Sequence, residues 1–296
     1  MEILTARDVP LGGPRAMTVR RTLPQRHRSL IGAWCFVDHY GPADGNMDVA
    51  PHPHTGLQTV SWLFSGEIEH RDSLGSHAVI RPGRLNLMTS GDGICHSEVS
   101  TAGPLHGVQL WVALPDAHRH TARDFVSYTA EPVRLDGASL CVFLGSLAGS
   151  TSPVTTFTPL VGAEIVLDPH SRVELPVNPD FEHGVLLDTG VVSVAGTKLA
   201  PSDLGYLPTG STGLTLVNHD AEPARLLLIG GAPFEEQILM WWNFVGRSHE
   251  EIVAFREAWE RESEQFGRVE GYEGPVQRLP APALPAVTIK PRPAAR

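Results

Sequence analysis

Hydrophobic residues along this chain come in short runs separated by turn formers, not in long helical stripes. LIGAWCFVDHY (30–40), TVSWLFSGEIEH (59–70), HAVIRPG (77–83), RLNLMTS (84–90) and LHGVQLWVALP (105–115) are rich in Val, Leu, Ile, Trp or Phe. Gly, Pro, Asp and Asn clusters divide them at intervals of about ten residues, the rhythm of an antiparallel barrel or sandwich. The texture then repeats. CVFLGSLAG (141–149), EIVLDP (164–169), SRVELPV (171–177), HGVLLDTGVVSVAGTKLAP (183–201), TGLTLVNHD (212–220) and ARLLLIGGAP (224–233) read as strands broken by turns. Two halves of similar length predict an all-β chain with a duplicated barrel, joined by the less patterned segment 116–137.

The period changes once. In SHEEIVAFREAWERE (248–262), Ile252, Phe255 and Trp259 make one apolar helical stripe, and Ser248 followed by Glu251 is a capping box. A short C-terminal helix over 248–264 is therefore expected. The predicted organisation is an N-terminal barrel (1–133), a C-terminal barrel carrying the helix (134–275), and a Pro-rich tail (276–296), extended and poorly ordered.

Composition narrows the function classes. With 42% hydrophobic and 19% charged residues, the chain has enough apolar material for a sizeable core and is neither disordered nor a coiled coil. The 23 basic and 33 acidic residues leave a net charge of -10, which supplies no basic surface for direct nucleic-acid binding. No apolar run is long enough for a membrane span, and the N-terminal segment has no signal-peptide pattern. Cys35, Cys95 and Cys141 are too few and too scattered for a disulfide framework, so a cytoplasmic protein is expected.

The candidate chemistry lies in two dipeptide-spaced pairs. His52 and His54 in PHPH stand two apart, just before a predicted strand, and His96 and Glu98 in GDGICHSE stand two apart again. On extended backbone, residues i and i+2 share a face, so neighbouring strands would aim three imidazoles and one carboxylate into a barrel interior. An HxH alone is ordinary among fourteen histidines; the added HxE makes a ligand set. Such an N3O site suits Fe, Mn, Ni, Cu or Zn, and the lack of thiolate argues against a closed structural zinc site. Other polar residues read as structural. His70, Asp72 and Ser73 look like turn chemistry, with a place behind the metal ligands as the alternative for His70. His106 and Gln109 lie on opposite faces of one strand, so at most one faces the cavity. Cys95 is expected to point away from the metal as a small packed hydrophobe, and Trp241 and Trp242 to be core or inter-domain aromatics. In the second half His170, His183 and His219 do not pair at strand spacing; His183 reads as a strand-edge residue and His219 as a turn residue.

PHPHTGLQTVSWLFSGEIEHRDSLGS, PGRLNLMTSGDGICHSE and LHGVQLWVALP, with VRRTLPQRHRSLIGAWCFVDHYGP upstream and GGAPFEEQILMWWNFVGRSHEEI downstream, resemble the pirin family of double-cupin proteins over nearly the whole chain. The resemblance implies two tandem cupin barrels, that is antiparallel jelly rolls, with one metal in the first. It implies His52, His54, His96 and Glu98 as ligands; Gln58 stands where many other cupins carry the acidic ligand. The metal would be one divalent ion per chain, Fe(II) foremost, with Mn, Ni, Cu or Zn as alternatives. The activity implied is that of a quercetin 2,3-dioxygenase, which opens a flavonol ring with release of carbon monoxide. A small phenolic compound and dioxygen would be the substrates, and Glu98 the catalytic base. The alternative implied is a metal- or redox-sensing regulator acting through a protein partner, as animal pirins do in transcription. A monomer is the expected state.

Overall fold

The computed structural model describes residues 1–11, 17–43 and 47–295; parts of the N-terminal segment and Arg296 of the tail lie outside the described residues. Among these, strands form two tandem β-barrels, and one α-helix, His249–Glu260, follows them. Among the described residues, no helix is long and apolar enough to cross a membrane.

In the first barrel the sheet order runs Asp124–Thr129, Arg84–Thr89, Leu57–Asp72, Ile94–Ala113, Trp34–Ala43, Thr18–Leu23 and Arg7–Pro10. The strands Asp48–His54 and His77–Ile80 pair off this path, against Ile94–Ala113 and Leu57–Asp72. The second barrel is a seven-stranded sheet facing a four-stranded one. The first strand, Glu2–Leu4, does not join the first barrel. It pairs with Leu204–Leu207 at the edge of the second barrel's sheet, so the N-terminal segment laces the two together.

Side-chain alternation sorts each central strand into two functions. On Ile94–Ala113, Val108, Leu110 and Val112 enter an apolar cluster shared with Leu186, Leu227 and Ile229 of the second barrel. Gln109 and Trp111, on the opposite face, line a cavity inside the first barrel. Trp34–Ala43 divides the same way, with Cys35 and Val37 in the shared cluster and Phe36 in the cavity wall. The largest core thus lies between the barrels. The second barrel is filled by its own aliphatic cluster, including Val142, Leu187, Leu214 and Leu226.

Several local expectations change. The segment 116–137 is not a plain connection: Asp124–Thr129 pairs with Arg84–Thr89 and Val133–Leu135 with Ala138–Leu144, so each barrel takes a strand from it. The run 183–201 divides into Glu182–Thr189, Val192–Val194 and Thr197–Lys198, turning at Gly190 and Gly196, both with positive φ. His183 is no edge residue, since its strand pairs on both sides and the side chain is buried. Ser248 caps the helix by accepting from the Glu251 N–H, but the Glu251 carboxylate reaches the Arg247 N–H instead of completing the box. The tail is extended, yet it is docked. Leu279 N–H donates to Pro51 O, Ile238 and Arg292 exchange backbone hydrogen bonds, and Ala281, Leu284 and Ile289 pack onto the helix cluster. Its apolar residues, hidden among prolines in the composition, give it something to bury.

Candidate metal centre

PHPH forms the end of a strand instead of preceding one: Asp48–His54 runs antiparallel to Ile94–Ala113, with His52 opposite His96 and His54 opposite Ile94. The chain then turns at Gly56, whose φ is +68° and whose site for a Cβ lies 2.2 Å from Val245 O. Only glycine fits there. This turn carries the chain from the histidine pair into Leu57–Asp72, the next strand of the barrel wall.

The three imidazoles meet. Ring centroids lie 5.0 Å apart for His52 and His54, 4.3 Å for His52 and His96, and 5.0 Å for His54 and His96. His54 Nε2 and His96 Nε2 are 3.1 Å apart. Adjacent ligands on an ion with bonds of 2.0–2.1 Å stand about 3 Å apart, so this spacing fits two nitrogens sharing one metal. His52 Nδ1 lies 2.9 Å from Ala50 O, which takes that proton and leaves Nε2 with a free lone pair. Glu98 sits in the same cavity wall, with an oxygen grouped near His96 and His70 rather than inside the tight imidazole trio. The Ser61 hydroxyl lies 3.1 Å from Glu98 Oε1 and 3.0 Å from Gln109 Oε1, and its single proton goes to one of them at a time.

Burial sets the protonation states. It pushes His52 down to about 4, and it holds His54 and His96 well below the ordinary imidazole range, with the neighbouring rings adding to the effect. Neutral imidazole is the ligand form. Burial raises Glu98, against the opposing influence of His70 and Ser61. The donor set, its neutrality and the nitrogen spacing fit a divalent transition metal.

The cavity beside this cluster measures about 360 Å³, within the range for small-molecule sites. Phe36 and Trp111 are stacked along its wall at 4.0 Å and 11°. The Arg21 guanidinium covers Phe36 at 4.2 Å while pairing with Asp38 at 2.6 Å and 2.7 Å. Trp242, expected as a core or inter-domain aromatic, packs against the helix cluster with Trp241 and also lines this cavity with Asn243. Gln109 faces the cavity and His106 turns away from it, as opposite faces require. Cys95 points into an apolar cluster with Leu239 and Phe244.

One arrangement bears on the alternative expected for His70, a place behind the metal ligands, and a second was not expected from the sequence. His70 and Asp72 lie opposite Glu98 and His96 in register, and His70 touches His96. His39, His106 and Asp188 form a second buried group between the barrels, in which Asp188 Oδ1 lies 2.8 Å and 2.6 Å from the two imidazoles. The strand register of an HxD opposite an HxE was the available signal for the first. Residues 149 positions apart gave none for the second.

Two barrels of this topology, with a histidine cluster inside the first, define a bicupin. The chain matches the family described as Pirin over residues 16–112 and that described as Pirin C-terminal cupin domain over residues 162–266. It belongs to the pirin family. A Pseudomonas aeruginosa protein, provisionally named a quercetin 2,3-dioxygenase, is 44% identical over 96% of this chain and 91% of its own length. Human pirin is 30% identical over 79% of this chain and 83% of its own. A crystal structure of a quercetin 2,3-dioxygenase from Acinetobacter baumannii superposes with a TM-score of 0.91 at 39% identity, covering 98% and 97% of the two chains.

Proposed function

We propose that this chain is a metal-dependent dioxygenase of the quercetin 2,3-dioxygenase type, with one divalent metal, Fe(II) foremost, held by His52, His54, His96 and Glu98. The observation that carries this reading is the meeting of three buried imidazoles beside a cavity walled by stacked aromatic rings. The names of the relatives in Pseudomonas and Acinetobacter support it.

When bound, the metal supplies Lewis acidity toward a phenolic oxygen and one-electron chemistry with dioxygen. The protein does the rest. Trp111, backed by Phe36, and Trp242 offer apolar surface to a planar phenolic ring and exclude water from it. Glu98 takes the proton of the substrate hydroxyl, and Ser61 orients the carboxylate.

The test is metal analysis of the purified chain together with quercetin absorbance under air, with Fe, Mn, Ni or Cu supplied in turn. Turnover that is lost in Glu98→Ala and His52→Ala supports the proposal. Stoichiometric metal binding with no flavonol consumed rejects the enzyme in favour of a metal-sensing regulator.

A further inference from the structure

We propose that His70 and Asp72 are positioning residues for the metal centre, forming a carboxylate–imidazole–imidazole chain that fixes which nitrogen of His96 faces the ion. This rests on the metal-binding reading above and assigns two residues outside its ligand set.

The chain of contacts has one consistent proton order. Asp72 Oδ1 is anchored by the N–H groups of Leu74 at 2.9 Å and Ser76 at 3.0 Å. Its other oxygen, Oδ2, lies 3.1 Å from His70 Nε2 and accepts that N–H. Donating through Nε2, His70 turns the lone pair of Nδ1 toward His96 Nδ1, in a long contact of 3.5 Å. His96 fills it by donating Nδ1–H, and its Nε2, on the side of His54, is left unprotonated. His70 is held rigidly for this purpose, buried and stacked on Phe125 at 4.5 Å and 19°. His52 reaches the same tautomer through Ala50 O. Metal-bound histidines ordinarily need such a partner on the second nitrogen, and losing it weakens metal binding about 10- to 100-fold.

Strand register builds the device. His70 and Asp72 stand two apart on Leu57–Asp72, directly opposite Glu98 and His96 on Ile94–Ala113. An HxD faces an HxE, and period two turns both toward one interior. The rival reading makes His70 itself a ligand, since its ring nitrogens fall within 4.8 Å of ligand atoms on His96 and Glu98.

The experiment strips the full-length chain with chelator and titrates it with Co(II) against a competing chelator, recording affinity and the visible cobalt spectrum. His70→Phe keeps the ring on Phe125 but removes both nitrogens. It is expected to bind Co(II) about 10- to 100-fold more weakly. His70→Gln presents an oxygen toward His96 and an N–H toward Asp72, the same polarity as the imidazole, and is expected to recover most of the affinity and the wild-type spectrum. Asp72→Asn keeps the turn acceptor but offers N–H to His70, reversing the chain, and is expected to weaken binding while leaving the metal-free fold intact by circular dichroism. This variant keeps the test open if His70→Phe fails to fold. Wild-type affinity in all variants overturns the positioning role alone. Loss beyond 1000-fold with no rescue by Gln overturns it in favour of a direct ligand. A wild-type chain that takes up no Co(II) overturns the metal reading itself.

Discussion

His52 offers a direct measure of what the buried imidazole cluster costs the metal-free protein. In the unfolded chain this side chain takes a proton near pH 6.5; in the folded chain burial delays that to about 4. The folded pKa is the lower one, so the unfolded state binds more protons in between and gains on the folded state as pH falls through that window. At about 1.4 kcal/mol per pH unit, His52 alone removes about 2.5 kcal/mol of stability between pH 7 and pH 4.5. His54 and His96, also lowered by burial, act in the same direction. Glu98 acts in the opposite one, because its raised pKa lets the folded state bind the extra proton.

A His52→Gln variant isolates the single contribution, since glutamine takes no proton in this range. Urea unfolding in chelator at pH 7 and pH 4.5 gives the stability lost on acidification for each protein. Wild type is expected to lose about 2.5 kcal/mol more than the variant. The window stays above the ordinary aspartate value, so Asp188 contributes little to it, and what the lowered glutamates contribute is common to both proteins and cancels. If the two proteins lose the same stability, His52 is not held neutral by the fold, and the argument that the cluster is preset for a metal fails with it.

Two further outcomes are expected. Asp188→Ala removes the acceptor shared by His39, His106 and Arg225 across the barrel interface, and urea unfolding should show a loss of about 3–5 kcal/mol, because the guanidinium and two donors lose their buried partner. Adding Ni(II) or Fe(II) to chelator-treated protein at 100 times its dissociation constant should stabilise it by about 2.7 kcal/mol, read as a rise in Tm that is absent when His54 and His96 are both replaced by alanine.

What was legible in the sequence is what strand periodicity encodes. His52 with His54, and His96 with Glu98, are each two residues apart, and period two places both members of a pair on one face whatever the rest of the chain does. The helix was legible from a different period, the apolar stripe of Ile252, Phe255 and Trp259. Partners set by strand order were not. Phe36 and Trp111 stack only because Trp34–Ala43 pairs beside Ile94–Ala113, and a local pattern carries no record of that neighbour. Asp188 reaches His39 and His106 only because the second barrel's sheet lies against the first's. The tail misled through its prolines, whose local stiffness says nothing about Leu284 and Ile289 finding the apolar helix cluster.

The division between the barrels follows from the energetics of the site. Three imidazoles and a carboxylate inside the first barrel leave that interior unable to serve as an ordinary apolar core, and burying them is unfavourable without partners or a metal. The missing hydrophobic stabilisation has to come from elsewhere. It comes from the outer face of the same strands, where Trp34, Val60, Trp62 and Leu110 pack against Leu186, Leu227 and Ile229. Trp62 also donates its indole N–H to Glu164 of the second barrel at 2.7 Å, and Trp34 to Gly230 O at 3.0 Å. An isolated first barrel would expose this face to water and keep only the smaller apolar cluster around Val19, Tyr40, Leu63, Ile68 and Leu105 beside its polar site. The second barrel, filled by an aliphatic cluster of its own, therefore supplies the larger apolar contact that a first barrel with a polar site lacks inside.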